Sequence, residues 1–405
     1  MFFKKTFFKR TISLTIMLVA AIGATAQQKD VRVYRDGNTW VEEITGMLPA
    51  GKGLNVNSAI GAVQVRGGAQ ANVTYTIKKR VNRSTEEAAR RDMANFVVTA
   101  AKHGEGVYIE ADWPRSRSGR INAEFYVNVP KETSWVKIQT LGGSVGVNNI
   151  AGKVVAQTAG GGITLDDIGG AASANTMGGS IDVGHIGGDA SLETAGGGIR
   201  IGSVGGHIAA STSGGSIQIG TGSQGITVES AGGSISVSNC NGDLRAVTAG
   251  GSIDVGSAGA AVHLESMGGG IRLASAKGRV SASTAGGGIR LMKLTSGVQA
   301  QTMAGPIEAE FIPGKGGFID SHLETTMGDI VVYLPSDLGV TLKAAIEMAN
   351  GHSIISEFDG VKVVKEGGQF GPLDIYAEGR INGGGPVLRL ETTNGNIEVR
   401  KGKSK

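Results

Sequence analysis

The stretches TAGGGITLDDIGGAASAN (158–175), TMGGSIDVGHIGGDASLE (176–193) and TAGGGIRIGSVGGHIAAS (194–211) follow one another with no insertion, each 18 residues long. Their opening, Thr or Ser, a small residue or Met, Gly-Gly, Ser or Gly, then Ile, recurs at Thr140, Thr158, Thr176, Thr194, Thr212, Ser230, Thr248, Ser266, Thr284 and Thr302. A fixed period without slippage is the signature of an array whose repeats stack on one another. The repeat is numbered below from its Thr or Ser.

Position 6 is Ile or Val throughout (Val145, Ile163, Ile181, Ile199), and position 8 is Val147, Leu165, Val183, Ile201. This two-residue alternation predicts a strand with one buried face. A second alternating pair at positions 15 and 17 (Ile208 with Ala210, Leu244 with Ala246) predicts another, and position 11 (Ile150, Ile168, Ile186, Val204) adds an inward residue between them. Eighteen residues cannot hold two strands, two turns and a helix. The fold class is therefore all-β: a parallel β-helix, or β-solenoid, whose coils pair with their equivalents above and below. No proline occurs between Pro130 and Pro306, as central strands require. Ten coils at about 4.8 Å make a rod of about 50 Å. Inward aliphatics at positions 6, 8, 11, 15 and 17 disfavour the six-residue left-handed form, and parallel crossovers favour the right hand. Gly-Gly at positions 3 and 4 permits positive φ and close backbone approach at the corner.

Around the array the chain divides into residues 1–26, a signal peptide; 27–139, a β-rich N-terminal cap segment with one short helix; 140–310, the regular coils; 311–400, degenerate coils and a C-terminal cap; and 401–405, a basic tail. The leader has Lys4, Lys5, Lys9 and Arg10, an apolar stretch from Ile12 to Ile22, and Ala24 and Ala26 at a small-residue cleavage site. The apolar stretch falls short of the about 20 residues that span a bilayer. Export to the periplasm, cell surface or medium follows, with no transmembrane helix after cleavage. The leader has four basic residues and no acidic one, so the formal +4 becomes 4 − 4 = 0. The basic pI is therefore no argument for nucleic acid. In the cap segment, strands are expected at Leu54–Val56, Val63–Val65, Val73–Ile77, Val107–Glu110 and Phe125–Val129, and a helix capped by Ser84 runs to about Asn95. Beyond Thr302 the motif returns at Thr325–Ile330 and Thr392–Ile397.

These landmarks resemble a family of exported bacterial proteins known as putative adhesins, whose defining domain has no established function. The likeness rests on Leu54-Asn55-Val56, Gly61-Ala62-Val63-Gln64-Val65, Val129-Pro130-Lys131, the Thr-x-Gly-Gly-x-Ile coils, Tyr333-Leu334-Pro335, and Thr393-Asn394-Gly395-Asn396-Ile397-Glu398-Val399. It implies an exported β-solenoid, adhesion as its label, and no catalytic residues to carry over. The chain departs from the family in having Gly-Gly-Ser or Gly-Gly-Gly where a polar residue and a single glycine are common.

The residues themselves offer little chemistry: the reading is non-enzymatic, with no catalytic, cofactor or metal residue assigned. His185, His207 and His263 occupy positions 10, 14 and 16 of different coils and do not converge, while His103, His322 and His352 lie outside the array and read as solvated. Glycine-rich calcium repeats need Gly-Gly-x-Gly-x-Asp, and here Ile replaces the third glycine. Phosphate loops need a following helix, whereas strand follows. Position 7 supplies pairs for surface ion bridges, Asp182 with Arg200, Asp254 with Arg272 and Arg290 with Glu308. The inward parity of position 1 predicts buried hydroxyls bonding the corner backbone. Cys240, the lone cysteine, falls at inward position 11 as a small buried hydrophobe. No Phe, Tyr or Trp occurs between Trp135 and Phe311, so the aromatics that could meet a sugar are sought in the cap segment, at Tyr108, Trp113, Phe125 and Tyr126, where core packing is the commoner role.

The expected role is an adhesin-like scaffold presenting a polar face for binding or assembly, with a glycan or protein of the cell envelope as partner. The alternatives are a polysaccharide-active enzyme using Asp166 and Asp167, and a self-assembling envelope polymer.

Overall fold

The structure, a computed structural model, describes residues 28–112, 121–314, 317–349, 351–367 and 373–402. The cleavage residues Ala24 and Ala26, and Trp113, lie outside them.

Every regular coil contributes one strand at positions 6–11 and another from position 15 to position 1 of the next coil. Ile163–Ile168 and Ala172–Thr176 are typical. Each pairs parallel with its equivalent 18 residues on, Ile163 against Ile181 and Ala172 against Ala190. The result is two ribbons of 18 strands each, which share one apolar core. Pairing runs from end to end of both ribbons without closing either.

The inward set is buried as alternation predicts: Ile163, Leu165, Ile168, Ala172, Ala174 and Thr176 are each at most 4% exposed. Positions 11 and 15 compensate each other in size. Ile168 faces a coil with Ala172, and Ile186 one with Ala190, whereas Gly222, Cys240 and Ala258 accompany Ile226, Leu244 and Val262. A Cβ on Gly222 would lie 2.7 Å from Ile226 Cδ1, so the larger side chain already fills that space. In these five coils the paired positions thus share the space that a core at crystal-like density must fill, whereas Ile150 with Val154, Val204 with Ile208 and Leu294 with Val298 are large at both.

At the corner, the hydroxyl at position 1 links two coils. Thr176 Oγ1 donates to Gly161 O at 2.8 Å and accepts from Gly179 N–H at 3.2 Å. The same donation recurs from Thr140 to Thr302, then at Thr325 and Thr392. From Thr158 to Ser266 each hydroxyl therefore relays one backbone N–H to the carbonyl of the coil below. The glycine at position 4 is the sterically required one: a Cβ on Gly179 would fall on the carbonyl of Gly161, while one on Gly178 at position 3 would keep 3.4 Å from its nearest neighbour, Gly160 O. The expectation of positive φ is corrected here. From Gly142 to Gly288 no corner glycine has φ in the left-handed region. Close backbone approach alone demands glycine there.

Both ends depart from chain order. Near the N terminus, Gln28–Asp36, Thr39–Pro49, Asn72–Val81 and Ile121–Pro130 run antiparallel in succession. Ala62–Gly68 is inserted parallel between Ile121–Pro130 and Val145–Ile150, and Gly53–Ser58 between Gly106–Asp112 and Trp135–Thr140. The C-terminal coil does likewise. Val387–Asn394 lies between Ser321–Met327 and Val340–Ile346, and Ile397–Lys401 between Ile330–Leu334 and Ile354–Ser356. The last coil of the chain is therefore an inner rung.

The helix is Glu86–Ala94, and its cap is Thr85, correcting the assignment to Ser84: Thr85 Oγ1 accepts from Ala88 N–H at 3.3 Å. With Thr85 at the cap, Glu86 and Glu87 enter the first turn, where the helix dipole favours them. Ala89 and Met93 pack on Val81, Val33 and Trp40. Lys79, 4% exposed, donates to Glu42 Oε1 at 3.0 Å and to Met93 O at 3.2 Å, tying the helix end to the sheet. Among the described residues no helix is long and apolar enough to cross a membrane.

Candidate functional site

The outward positions of the two ribbons make two long faces. On the first, position 7 forms the expected ladder: Arg200 Nη1 lies 2.8 Å from Asp182, Arg272 Nη1 3.6 Å from Asp254, and Arg290 Nε 3.1 Å from Glu308. All six side chains are solvated, so each pair contributes about 0–1 kcal/mol. Their effect is to fix register and solubility.

The second face carries a groove of about 890 Å³ over positions 14 to 16. It runs from Lys153 to Ser281, and the seven coil steps between Lys153 and Arg279 correspond to about 34 Å. Over its middle the floor is made of small residues at position 16, Ser173, Ser191 and Ala209, while Arg245 and His263 occupy the same position further along. Charges of both signs border it, with Lys153 at one end, Asp189 and Asp243 along the middle, and Arg245 and Arg279 toward the other end. The carboxylates are held in place by the next coil, Asp189 accepting from His207 N–H at 2.8 Å and Asp243 from Ala261 N–H at 3.1 Å. Such a surface offers an extended partner a long, largely apolar trough with polar groups along its border.

The individual candidates fall into place around it. His207 and His263 border the groove from different coils, whereas His185 is outside it, its Nδ1 2.9 Å from Ser203 Oγ. Asp166 is spent on structure: its carboxylate accepts from the N–H groups of Asp167 and His185 and from Asn148. Asp167 sits at φ 50°, so the two carboxyl groups belong to a backbone turn rather than to opposite sides of a cleft. Cys240 is 2% exposed, and burial pushes its thiol pKa up. Phe125 is fully buried, edge-on to Phe96 at 6.4 Å. Tyr126 is 43% exposed, its hydroxyl on Glu124 at 3.3 Å, and Tyr108 lies against His103.

One constellation escapes a residue-by-residue reading. His322, expected to be merely solvated, has Nε2 2.9 Å from Glu391 and 3.9 Å from Glu324. The signal lay in the two loose motifs: aligning Thr325 with Thr392 places Glu324 beside Glu391.

No family model matches the chain, and no curated protein matches it. Among solved structures, it is similar to a putative cell adhesion protein from Clostridium sporogenes, at 10% identity over 93% of this chain and 100% of that one, with a TM-score of 0.16. It is also similar to a putative adhesin from Bacteroides fragilis, at 12% identity over 88% of this chain and 96% of that one, with a TM-score of 0.21. At such scores the functional reading rests on this chain's own residues.

Proposed function

We propose that this chain is an exported, non-enzymatic, adhesin-like scaffold whose grooved face binds an extended polymer, glycan or protein, of a cell envelope or surface. The observation that carries the reading is the groove: about 34 Å of open face whose middle is floored by Ser173, Ser191 and Ala209 and bordered by Asp189 and Asp243, each held by the next coil. A rigid ribbon holds such contacts at constant spacing and loses little entropy when a partner docks. Export is inferred from the leader, with Ala24 and Ala26 at its cleavage site. Adhesion is inferred from the resemblance of the sequence landmarks. The non-enzymatic reading is supported by the engagement of Asp166 with backbone N–H groups.

The test is a glycan array and a cell-envelope binding assay, comparing the native chain with one carrying Ser191→Arg and Ala209→Arg in the groove floor. Saturable binding that the floor substitutions abolish, while the circular dichroism is unchanged, is the expected result. Undiminished binding by the variant overturns the assignment to this face, and hydrolysis of a polysaccharide by the native chain overturns the non-enzymatic reading.

A further inference from the structure

Near the C-terminal end, the ribbon that carries the groove brings three side chains together. His322 and Glu324 are two residues apart on Ser321–Met327, so they leave the same face of the strand. Parallel pairing sets Glu324 directly beside Glu391 of Val387–Asn394. One donor atom from each of the three lies within 4.8 Å of the others, with His322 Nε2 between the two carboxylates. Like charges directly opposite on neighbouring strands destabilise a sheet unless something positive is shared between them.

Other side chains keep the carboxylates aimed. Arg389 Nη1 takes Glu391 Oε1 at 3.2 Å, leaving Oε2 toward the imidazole, and Gln301 Nε2 donates to Glu324 Oε2 at 3.3 Å. Partners of this kind orient and hold ligating groups in metal sites. Two ligands about 2.0–2.1 Å from a tetrahedral ion lie roughly 3.4 Å apart. The separations of 2.9 and 3.9 Å bracket that value. All three side chains are partly exposed, so an ion reaches them from solvent, and a depression of about 320 Å³ bordered by Gln299 and Arg389 adjoins His322.

We propose that His322, Glu324 and Glu391 form a three-ligand site for a divalent cation of the zinc class, with water completing the coordination. One imidazole and two carboxylates suit such an ion, whereas calcium takes six to eight oxygens. Because Glu391 belongs to the coil inserted from the C terminus and His322 to its neighbour, the ion would clamp that coil into the stack. The site is separate from the groove binding proposed above and stands without it.

The full chain, free of any polyhistidine tag and stripped with a chelator, is titrated with Zn²⁺ by calorimetry and melted with and without it. The expected result is one saturable equivalent and a midpoint raised by about 2–4 °C. H322Q and E391Q should each weaken binding by at least about tenfold with an unchanged circular dichroism spectrum. H263Q, at the exposed His263–Glu265 pair, is the control for casual surface binding and should titrate with Zn²⁺ as the native chain does. Should either glutamine variant lose its fold, E324Q, which keeps the size and polarity of a half-exposed side chain, decides in its place. Absence of saturable binding, or binding indifferent to the site substitutions, overturns the proposal.

Discussion

Thr212 shows how much a single hydroxyl holds. Its Oγ1 donates to Gly197 O at 2.8 Å and accepts from Gly215 N–H at 3.1 Å, at 5% exposure. Thr212→Val keeps the shape and leaves both backbone groups unpaired in a dry corner, which should cost about 1–3 kcal/mol in urea unfolding. Thr212→Ser keeps the relay and loses one methyl, roughly 0.8 kcal/mol; Ser230 and Ser266 already make the same bonds. The neighbouring glycines should separate in the same assay. Gly160→Ala meets nothing closer than 3.8 Å and should be tolerated, whereas Gly161→Ala drives a Cβ into the carbonyl of Gly143 and should displace the coil. Cys240 adds a pH dependence. Its folded pKa is raised above the ordinary 9.0, chiefly by burial. Below pH 9 both states keep the thiol protonated and its contribution is intact; above it the unfolded chain ionises first, so stability falls as pH rises. A Cys240→Ala variant should flatten that alkaline loss, and the native thiol should react with a thiol reagent only on unfolding.

At the scale of elements, the inserted coil is the test case. Val387–Asn394 and Ile397–Lys401 are the sole rungs joining Val340–Ile346 and Ile354–Ser356 to the array among the described pairings. Deleting residues 387–402 should therefore release amide protection through 340–356, while coils 181–240 keep theirs in hydrogen exchange, because each coil is stabilised only by its neighbours. The opposite outcome, uniform protection, would mean that the outer coils stand without the insert. This arrangement also marks where sequence reading stops. Positions 6, 8, 11, 15, 17 and 1 were legible because the same inward parity repeats in register, and the strands from Leu54 to Val129 were legible by alternation. Stacking order at the ends was not, since pairing of Gly53–Ser58 with Gly106–Asp112 spans two strands of the other ribbon, a helix and a further strand, which periodicity cannot bridge. The helix cap was misplaced by one residue because Ser84 and Thr85 are chemically equivalent caps, and only backbone geometry chooses between them. His322 was missed for the same reason as the end order: its partner Glu391 is 69 residues away.

At the scale of the whole molecule, two open ribbons imply four strand edges, the places where a solenoid polymerises. Val361–Gly367 ends one ribbon, paired on one side only and solvated along nearly its whole length, with Val363 and Val364 about half exposed. Lys362, Lys365 and Glu366 lie on that edge, and Gln28–Asp36, the N-terminal edge of the other ribbon, carries Lys29, Asp30, Arg32, Arg35 and Asp36. Charged side chains on an edge strand hinder its pairing with a second copy, so these charges oppose end-to-end growth and favour a discrete scaffold over a filament. The native chain should therefore sediment as a single species at high concentration. Lys362→Val with Lys365→Val removes the two lysines and lengthens the apolar run Val361–Val364, and should produce elongated assemblies visible by electron microscopy. Filaments from the native chain would instead show that the edges are built for assembly, and the envelope-polymer reading would then replace that of a binding scaffold.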